Sequence, residues 1–142
     1  MSLPELKNCH LDHIAIAVKS LKDAKKIYQD CGLTFHPHDE EVKEQKVLTA
    51  FAQVDQFGHI ELLEPTSEDS PIAKFIDSKG EGIHHICFRV IDIKGKTDEL
   101  LQKGYRFIYP EARRGAGGCL VNFIHPKSAG GVLIELSQKE EA

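Results

Sequence analysis

The strongest constraint on this 142-residue chain is an internal repeat, because a duplicated sequence predicts a fold built from two copies of one module. Residues 11–18 (LDHIAIAV) match residues 83–90 (IHHICFRV). Further along each copy, residues 31–35 (CGLTF) match residues 103–107 (KGYRF) at the same offset of 72 positions. The order of the matches is conserved between the copies, so the repeat predicts two modules of similar structure.

Each copy brings one histidine and one glutamate to matching places. His13 and His85 are 72 positions apart, and Glu61 and Glu135 are 74 apart. Period-two alternation places all four on the non-core side of mostly apolar strands. One interpretation is that these polar residues simply face solvent. However, a carboxylate between Ile and Leu costs free energy unless it is paired, hydrated or metal-bound. The symmetric positions favour one metal site with two nitrogen and two oxygen ligands.

Length and composition limit the class of protein. The chain is long enough for one domain with a real core, and its formal net charge of −4 comes from interspersed charges, which argues against a nucleic-acid partner. No apolar run approaches the roughly 18 residues that a membrane span needs, and residues 1–5 lack signal-peptide features. The four cysteines are widely spaced, which is typical of reduced thiols, so we expect a cytoplasmic protein.

The periodicities predict an α+β fold, as a single domain spanning residues 1–142. Module one (about 10–66) and module two (about 82–138) each read as β-α-β-β-β, and a linker helix falls within about 67–81. The predicted elements of module one are a strand at 11–18, a helix at 21–31, a short strand within 33–46, and strands at 47–54 and 59–64 joined by a turn at 55–58. Those of module two are a strand at 83–90, a helix at 94–103, a short strand at 106–109, and strands at 119–125 and 131–137.

The face of the first strand that carries His13 continues with small residues. Ala15 and Ala17 follow His13 at period two. Small side chains leave space above a sheet, so this pattern predicts room for a ligand beside His13.

Five segments carry a resemblance to a known family. The chain resembles the vicinal oxygen chelate (glyoxalase/bleomycin resistance/dioxygenase) superfamily over about residues 10–138, and within it most resembles the methylmalonyl-CoA epimerase family. The segments are 11–18, 60–65 (IELLEP), 70–75 (SPIAKF), 82–86 (GIHHI) and 125–136 (HPKSAGGVLIEL), of which the last two are the more specific to the epimerases.

The resemblance implies an enzyme and its ligand set. His13, Glu61, His85 and Glu135 would bind one divalent metal ion (Co, Zn, Ni, Mn or Fe) in a cleft of a curved mixed sheet. The thioester carbonyl and carboxylate of methylmalonyl-CoA would chelate this metal. The C2 proton would then be removed and returned through a metal-stabilised enolate. The implied partners are an acyl-CoA substrate and a second copy of the chain in a homodimer.

The resemblance also suggests roles for individual residues. Glu135 is the expected catalytic carboxylate for one face of the substrate, and Lys127, Ser128 and Asn122 are expected to bind substrate. The family's second glutamate base is replaced by Thr49, which cannot act as a base. The candidates for that role are Glu61 as a second catalytic carboxylate, Glu44, or a water molecule.

A second departure from the family lies just before Thr49. Lys46 stands where the family usually has glycine.

Other functions remain open at this point. Glyoxalase I uses a His/Glu/His/Glu metal site of the same kind, so the ligands alone do not exclude it. An Fe(II) extradiol dioxygenase needs two histidines and one carboxylate, and Glu61 as a fourth ligand argues against it. A metal-free small-molecule-binding protein of the same fold is a third alternative. The substrate could carry a methylmalonyl or an ethylmalonyl group.

Overall fold

The computed structural model describes residues 9–140, so the predicted absence of a signal peptide at residues 1–5 concerns a segment outside the described residues. Over residues 9–140 the chain forms eight strands and three α-helices. The strands are β1 (Cys9–Ala17), β2 (Glu40–Val42), β3 (Val47–Gln53), β4 (His59–Pro65), β5 (Gly82–Val90), β6 (Arg113–Arg114), β7 (Cys119–Ile124) and β8 (Ile134–Lys139). The helices are α1 (Leu21–Asp30), α2 (Pro71–Lys79) and α3 (Ile93–Gln102).

The element order confirms the predicted α+β class and its repeated β-α-β-β-β pattern. β1-α1-β2-β3-β4 is followed by α2 and then by β5-α3-β6-β7-β8. The chain divides into two compact units, one running from His13 to His84 and the other joining the described residues up to Asp12 with those from His85 onward. Within the described part of the chain, every helix is too short or too polar to cross a membrane.

Module one is a mixed sheet with a helix on each face. Its strand order is β2-β3-β4-β1, with β1 and β4 parallel and the other pairs antiparallel. α1 covers one face, and the buried residues there are Val18, Leu21, Ala24, Phe35, Ala50, Ala52 and Leu62. α2 covers part of the other face, where the buried residues are Ala15, Ala17, Val47, Leu63, Ile72 and Ile76.

The second of these clusters shows what covers the small residues that follow His13 on its strand. Ala15 and Ala17 are fully buried. Ile72 and Ile76 of α2 fill the space above them. The helix approaches the sheet closely because the strand residues beneath it are small, so the two alanines serve helix packing.

Local sequence signals set the ends of the helices. The Ser20 hydroxyl accepts a hydrogen bond from Asp23 N–H at 3.2 Å at the start of α1. The Ser70 hydroxyl accepts one from Ile72 N–H at 3.1 Å, with Pro71 in the first position of α2. Serine is among the residues preferred at a helix N-cap, and proline is favoured at the first helical position, so both helix starts follow from local sequence.

The hairpin turn at residues 55–58 is also confirmed. Asp55 Oδ1 accepts hydrogen bonds from the backbone N–H groups of Phe57 at 2.9 Å and Gly58 at 2.7 Å. These two donors stabilise the ionised carboxyl and hold the pKa of Asp55 below its ordinary value.

Module two has the strand order β5-β8-β7-β6, with β5 and β8 parallel. The predicted short strand at 106–109 is wrong in position. That segment makes a single bridge, from Phe107 to Ile124, and the strand β6 forms later, at Arg113–Arg114. Pro110 explains the break, because proline lacks the N–H group that a strand ladder requires.

The last strand begins three residues later than predicted. Gly130 and Gly131 have φ values of +65° and +90° and form a turn, in which Gly131 N–H donates to the Pro126 carbonyl at 2.8 Å. A left-handed turn cannot continue a strand, so β8 starts only at Ile134.

Lys46 has the one positive φ found among the described non-glycine residues. Its φ of +55° and ψ of +50° place it in the left-handed helical region at the end of a 3₁₀ turn, Lys43–Gln45. Its side chain forms an ion pair with Asp69, and together with the Ser67 hydroxyl this contact lowers the pKa of Asp69 to about 2. A left-handed conformation of this kind favours glycine, which is the residue that the family resemblance leads one to expect here.

Comparing two substitutions tests this account of Lys46. Lys46→Ala and Lys46→Gly both remove the ion pair, but only glycine relieves the left-handed strain. A left-handed L-residue costs about 1–2 kcal/mol, and the greater freedom of unfolded glycine offsets about 0.4–1 kcal/mol of this. We therefore expect the free energy of unfolding of the glycine variant to exceed that of the alanine variant by about 1 kcal/mol. Urea denaturation measures this difference, and equal stabilities would contradict the strain.

Candidate metal centre

The parallel pairing of β1 with β4 brings the first predicted pair together. In this register His13 lies beside His59, and Ala15 lies beside Glu61. His13 Nε2 is 3.7 Å from Glu61 Oε2, and the His13 side chain is nearly buried. An imidazole nitrogen and a carboxylate oxygen therefore converge on one face of module one.

His59 is a third donor at this place, which the sequence reasoning did not single out. Its Nε2 is also 3.7 Å from Glu61 Oε2, and its ring stacks on that of His13 with centroids 5.0 Å apart. The signal was available, since His59 precedes Glu61 by two residues and period two places both on the same face.

The second predicted pair forms in module two. His85 on β5 and Glu135 on β8 approach to 3.1 Å between Nε2 and Oε1, and both side chains are about one-tenth exposed. The parallel register aligns Cys87 with Glu135. Since His85 precedes Cys87 by two residues, the register places the histidine and the glutamate on a shared face.

A phenyl ring flanks this second pair. Phe123 on β7 lies opposite Glu135 in the antiparallel register. Its ring meets that of His85 edge to face, with centroids 6.0 Å apart. The aromatic contact limits the orientations available to the imidazole and keeps the pair largely out of water.

Each module thus holds a His–Glu pair whose donor atoms suit a divalent cation. Imidazole nitrogen and carboxylate oxygen are ligands of the borderline metals Zn, Co, Ni, Mn and Fe. The low exposure of His85 and Glu135 makes these carboxylate and imidazole groups costly to keep without a partner. The chemistry of the donors therefore fits the metal that the sequence predicts.

The residues predicted to bind substrate include two in a short 3₁₀ turn, Pro126–Ser128. The Ser128 hydroxyl accepts a hydrogen bond from Arg106 N–H at 3.1 Å. Lys127 donates its backbone N–H to His125 Nδ1 at 3.1 Å, and it is exposed. The contacts of Ser128 shape the loop, and the exposed Lys127 ammonium is available to an anionic group.

Asn122 is fully buried and its amide is used within the fold. Its Oδ1 accepts from Tyr109 N–H at 3.2 Å, and its Nδ2 donates to the Tyr109 carbonyl at 3.1 Å. These bonds replace a strand ladder at the segment before Pro110. Asn122 therefore holds the backbone of Tyr109 in place, and its direct contact with substrate stays a prediction.

Thr49, which the resemblance places where a second base is expected, also contacts the backbone. The Thr49 hydroxyl donates to the Glu40 carbonyl at 3.0 Å across the β2–β3 pair. Glu44 lies exposed in the Lys43–Gln45 turn. Thr49 therefore contributes to the pairing of β2 with β3.

The fold agrees with what comparison of the sequence shows. Residues 12–123 match the Glyoxalase/Bleomycin resistance protein/Dioxygenase superfamily. The chain belongs to this superfamily, which confirms the resemblance drawn from its motifs.

Within the superfamily, the relatives point to an epimerase, an enzyme of the isomerase class. The chain is 37% identical to the mitochondrial methylmalonyl-CoA epimerase of Mus musculus, over 96% of this chain and 77% of that one. It is 39% identical to the ethylmalonyl-CoA/methylmalonyl-CoA epimerase of Cereibacter sphaeroides, over 90% and 96%. A solved variant of Streptomyces coelicolor methylmalonyl-CoA epimerase in complex with 2-nitronate-propionyl-CoA superimposes with a TM-score of 0.83, at 35% identity over 95% and 100%.

Proposed function

We propose that this chain is a divalent-metal-dependent epimerase of methylmalonyl-CoA. The observation that carries the proposal is the pair of His–Glu contacts, His13 with Glu61 and His85 with Glu135, at matching strands of the two modules. The similarity to proteins named methylmalonyl-CoA epimerase over nearly the whole chain supports the substrate.

His13, Glu61, His85 and Glu135 would together hold one metal ion. The support comes from the sequence repeat, which brings equivalent residues to equivalent strands, and from the donor chemistry of each pair. When bound, the ion would act as a Lewis acid toward the thioester carbonyl oxygen, where negative charge develops as the C2 proton leaves.

Glu135 is the residue we assign to proton transfer on one face of the substrate. A carboxylate can accept the C2 proton and return it, and positioned carboxylates of this kind contribute about 10²–10⁴-fold to rate. The hydrogen-bonding distance of 3.1 Å to His85 keeps Glu135 oriented. Its low exposure limits the competition of water for the proton.

Inversion requires a second proton-transfer group on the opposite face. Thr49 is unsuited because its hydroxyl does not ionise in the physiological range and donates to the Glu40 carbonyl. Glu61, which lies 3.7 Å from His13, is one candidate for this second group. Glu44 and a water molecule are the other candidates. Separate Glu61→Gln and Glu44→Gln variants distinguish them through the exchange rate of each epimer of the substrate.

Proton NMR of methylmalonyl-CoA in D₂O tests the proposal. Enzyme loaded with cobalt should remove the C2 proton signal much faster than metal-stripped enzyme or buffer alone, because deuterium replaces the proton at each turnover. The control without protein accounts for spontaneous exchange of this acidic proton.

Two other outcomes have separate meanings. Equal exchange by loaded and stripped enzyme would overturn the metal dependence while keeping the epimerase. No exchange above buffer would overturn the epimerase, and the hemithioacetal of methylglyoxal and glutathione, the substrate of glyoxalase I, would be tried next.

A further inference from the structure

An exposed aromatic ring stands beside the first proposed metal ligand. Phe51 on β3 lies directly opposite Glu61 on β4 in the antiparallel register. Directly opposed residues project to the same face, with Cβ atoms about 4.5–5.5 Å apart. Phe51 is 41% exposed, whereas its neighbours Ala50 and Ala52 are buried in the core beneath the other face. The ring therefore borders the space into which Glu61 projects.

Two imidazoles hold this ring in place. His36 stacks on it, with centroids 5.3 Å apart and planes 17° from parallel. His59 meets it edge to face at 5.4 Å. His36 N–H also donates to the Phe51 carbonyl at 2.9 Å, which ties the His36 segment to the edge of β3. The exposed ring is therefore fixed between its neighbours.

The row of rings continues to the first histidine of the predicted metal site. His59 contacts Phe51 on one side and stacks on His13 at 5.0 Å on the other. A substrate held at His13 and Glu61 would therefore have a rigid aromatic surface on the β3 side, with the apolar Phe51 ring at its exposed end. This surface, made by Phe51 with His36 and His59, is called the aromatic wall below.

We propose that Phe51 determines which acyl group the enzyme accepts, by limiting the size of the substituent at C2. This inference rests on the proposed function, since it assumes that the malonyl group binds beside Glu61. A fixed ring accommodates a methyl group by contact, but an additional methylene must displace the ring or the substrate. The chain is then a methylmalonyl-CoA enzyme that disfavours ethylmalonyl-CoA and larger homologues.

Substitution of Phe51 in both directions provides the test. Phe51→Ala removes the ring and should raise the ratio of kcat/KM for ethylmalonyl-CoA over methylmalonyl-CoA by about tenfold or more, the usual effect of one methylene in an apolar site. Phe51→Trp enlarges the ring and should lower the ratio. The ratio of the two affinities, ethylmalonyl-CoA over methylmalonyl-CoA, measured by calorimetry, should change in the same direction as the ratio of kcat/KM in each variant.

Phe57→Ala is the matched control. Phe57 is also an exposed phenylalanine, 54% accessible, and it lies in the turn that joins β3 to β4. Its removal should leave the substrate ratio unchanged. Thermal unfolding of all three variants checks that each is folded, which is expected because both rings are substantially exposed.

The possible failures are distinguishable. Wild-type enzyme that acts on neither acyl-CoA refutes the proposed function. Active enzyme whose substrate ratio and dissociation constants are unaffected in both Phe51 variants refutes the aromatic wall and leaves the epimerase standing.

Discussion

Replacing Glu135 with glutamine is expected to lower kcat by about 10²–10⁴-fold while the protein still binds its metal. The amide keeps an oxygen that can coordinate a cation, and it can still approach His85, which lies 3.1 Å from the carboxylate in the native chain. It cannot accept a proton at neutral pH, so the C2 proton has no acceptor on this face. The measurement is kcat for methylmalonyl-CoA together with metal content by mass spectrometry.

An exposed glutamate supplies the control for this substitution. Glu68 lies in the linker between β4 and α2, and Glu68→Gln makes the same change of charge there. That variant should retain full kcat. A Glu135→Gln enzyme with near wild-type turnover would remove Glu135 from proton transfer, whatever its role in metal binding.

Replacing His85 with alanine is expected to weaken metal binding by more than about 100-fold. Even the partners that only orient metal ligands cost 10–100-fold when they are removed, and loss of a ligand itself should exceed this. The imidazole also contacts Glu135 and Phe123, so its loss leaves the carboxylate with fewer constraints. Equilibrium dialysis against cobalt or zinc measures the dissociation constant without relying on activity.

The neighbouring histidine makes a close control. His84 is adjacent in sequence, but its ring packs edge to face against Phe75 of α2 at 4.9 Å. His84→Ala should lose packing and some thermal stability while its metal affinity stays within a few-fold of wild type. If His85→Ala retained one tightly bound metal per chain, the proposed ligand set would have to be abandoned.

The sequence alone was sufficient for the parts of the fold that repeat. His13 and His85 align because the modules are copies, and the strand alternation that places one histidine on the non-core face places the other there too. The same logic led to Glu61 and Glu135, and the structure brings each glutamate within 3.7 Å or less of its histidine. Caps such as Ser70 were predictable because their hydrogen bonds are local.

Features that depend on distant partners could not be predicted in this way. Ala15 is covered by α2, which lies more than fifty residues later in the chain, and the alternation within β1 gives no sign of this packing. The burial of Asn122 depends on Tyr109, whose segment leaves the strand ladder because Pro110 follows. The stacking of His59 on His13 depends on the exact register of two parallel strands, which alternation alone does not determine.

The packing of α2 on module one means that the two copies are no longer interchangeable. The repeat aligns Ala17, buried beneath that helix, with Arg89 of module two, whose guanidinium pairs with Asp12 at 3.0 Å. A chain assembled from two second modules would place an arginine against the apolar side of α2, with a large desolvation cost. Each copy of the module is therefore suited to its own place in the chain, and the second copy could not replace the first beneath α2 without a change at Arg89.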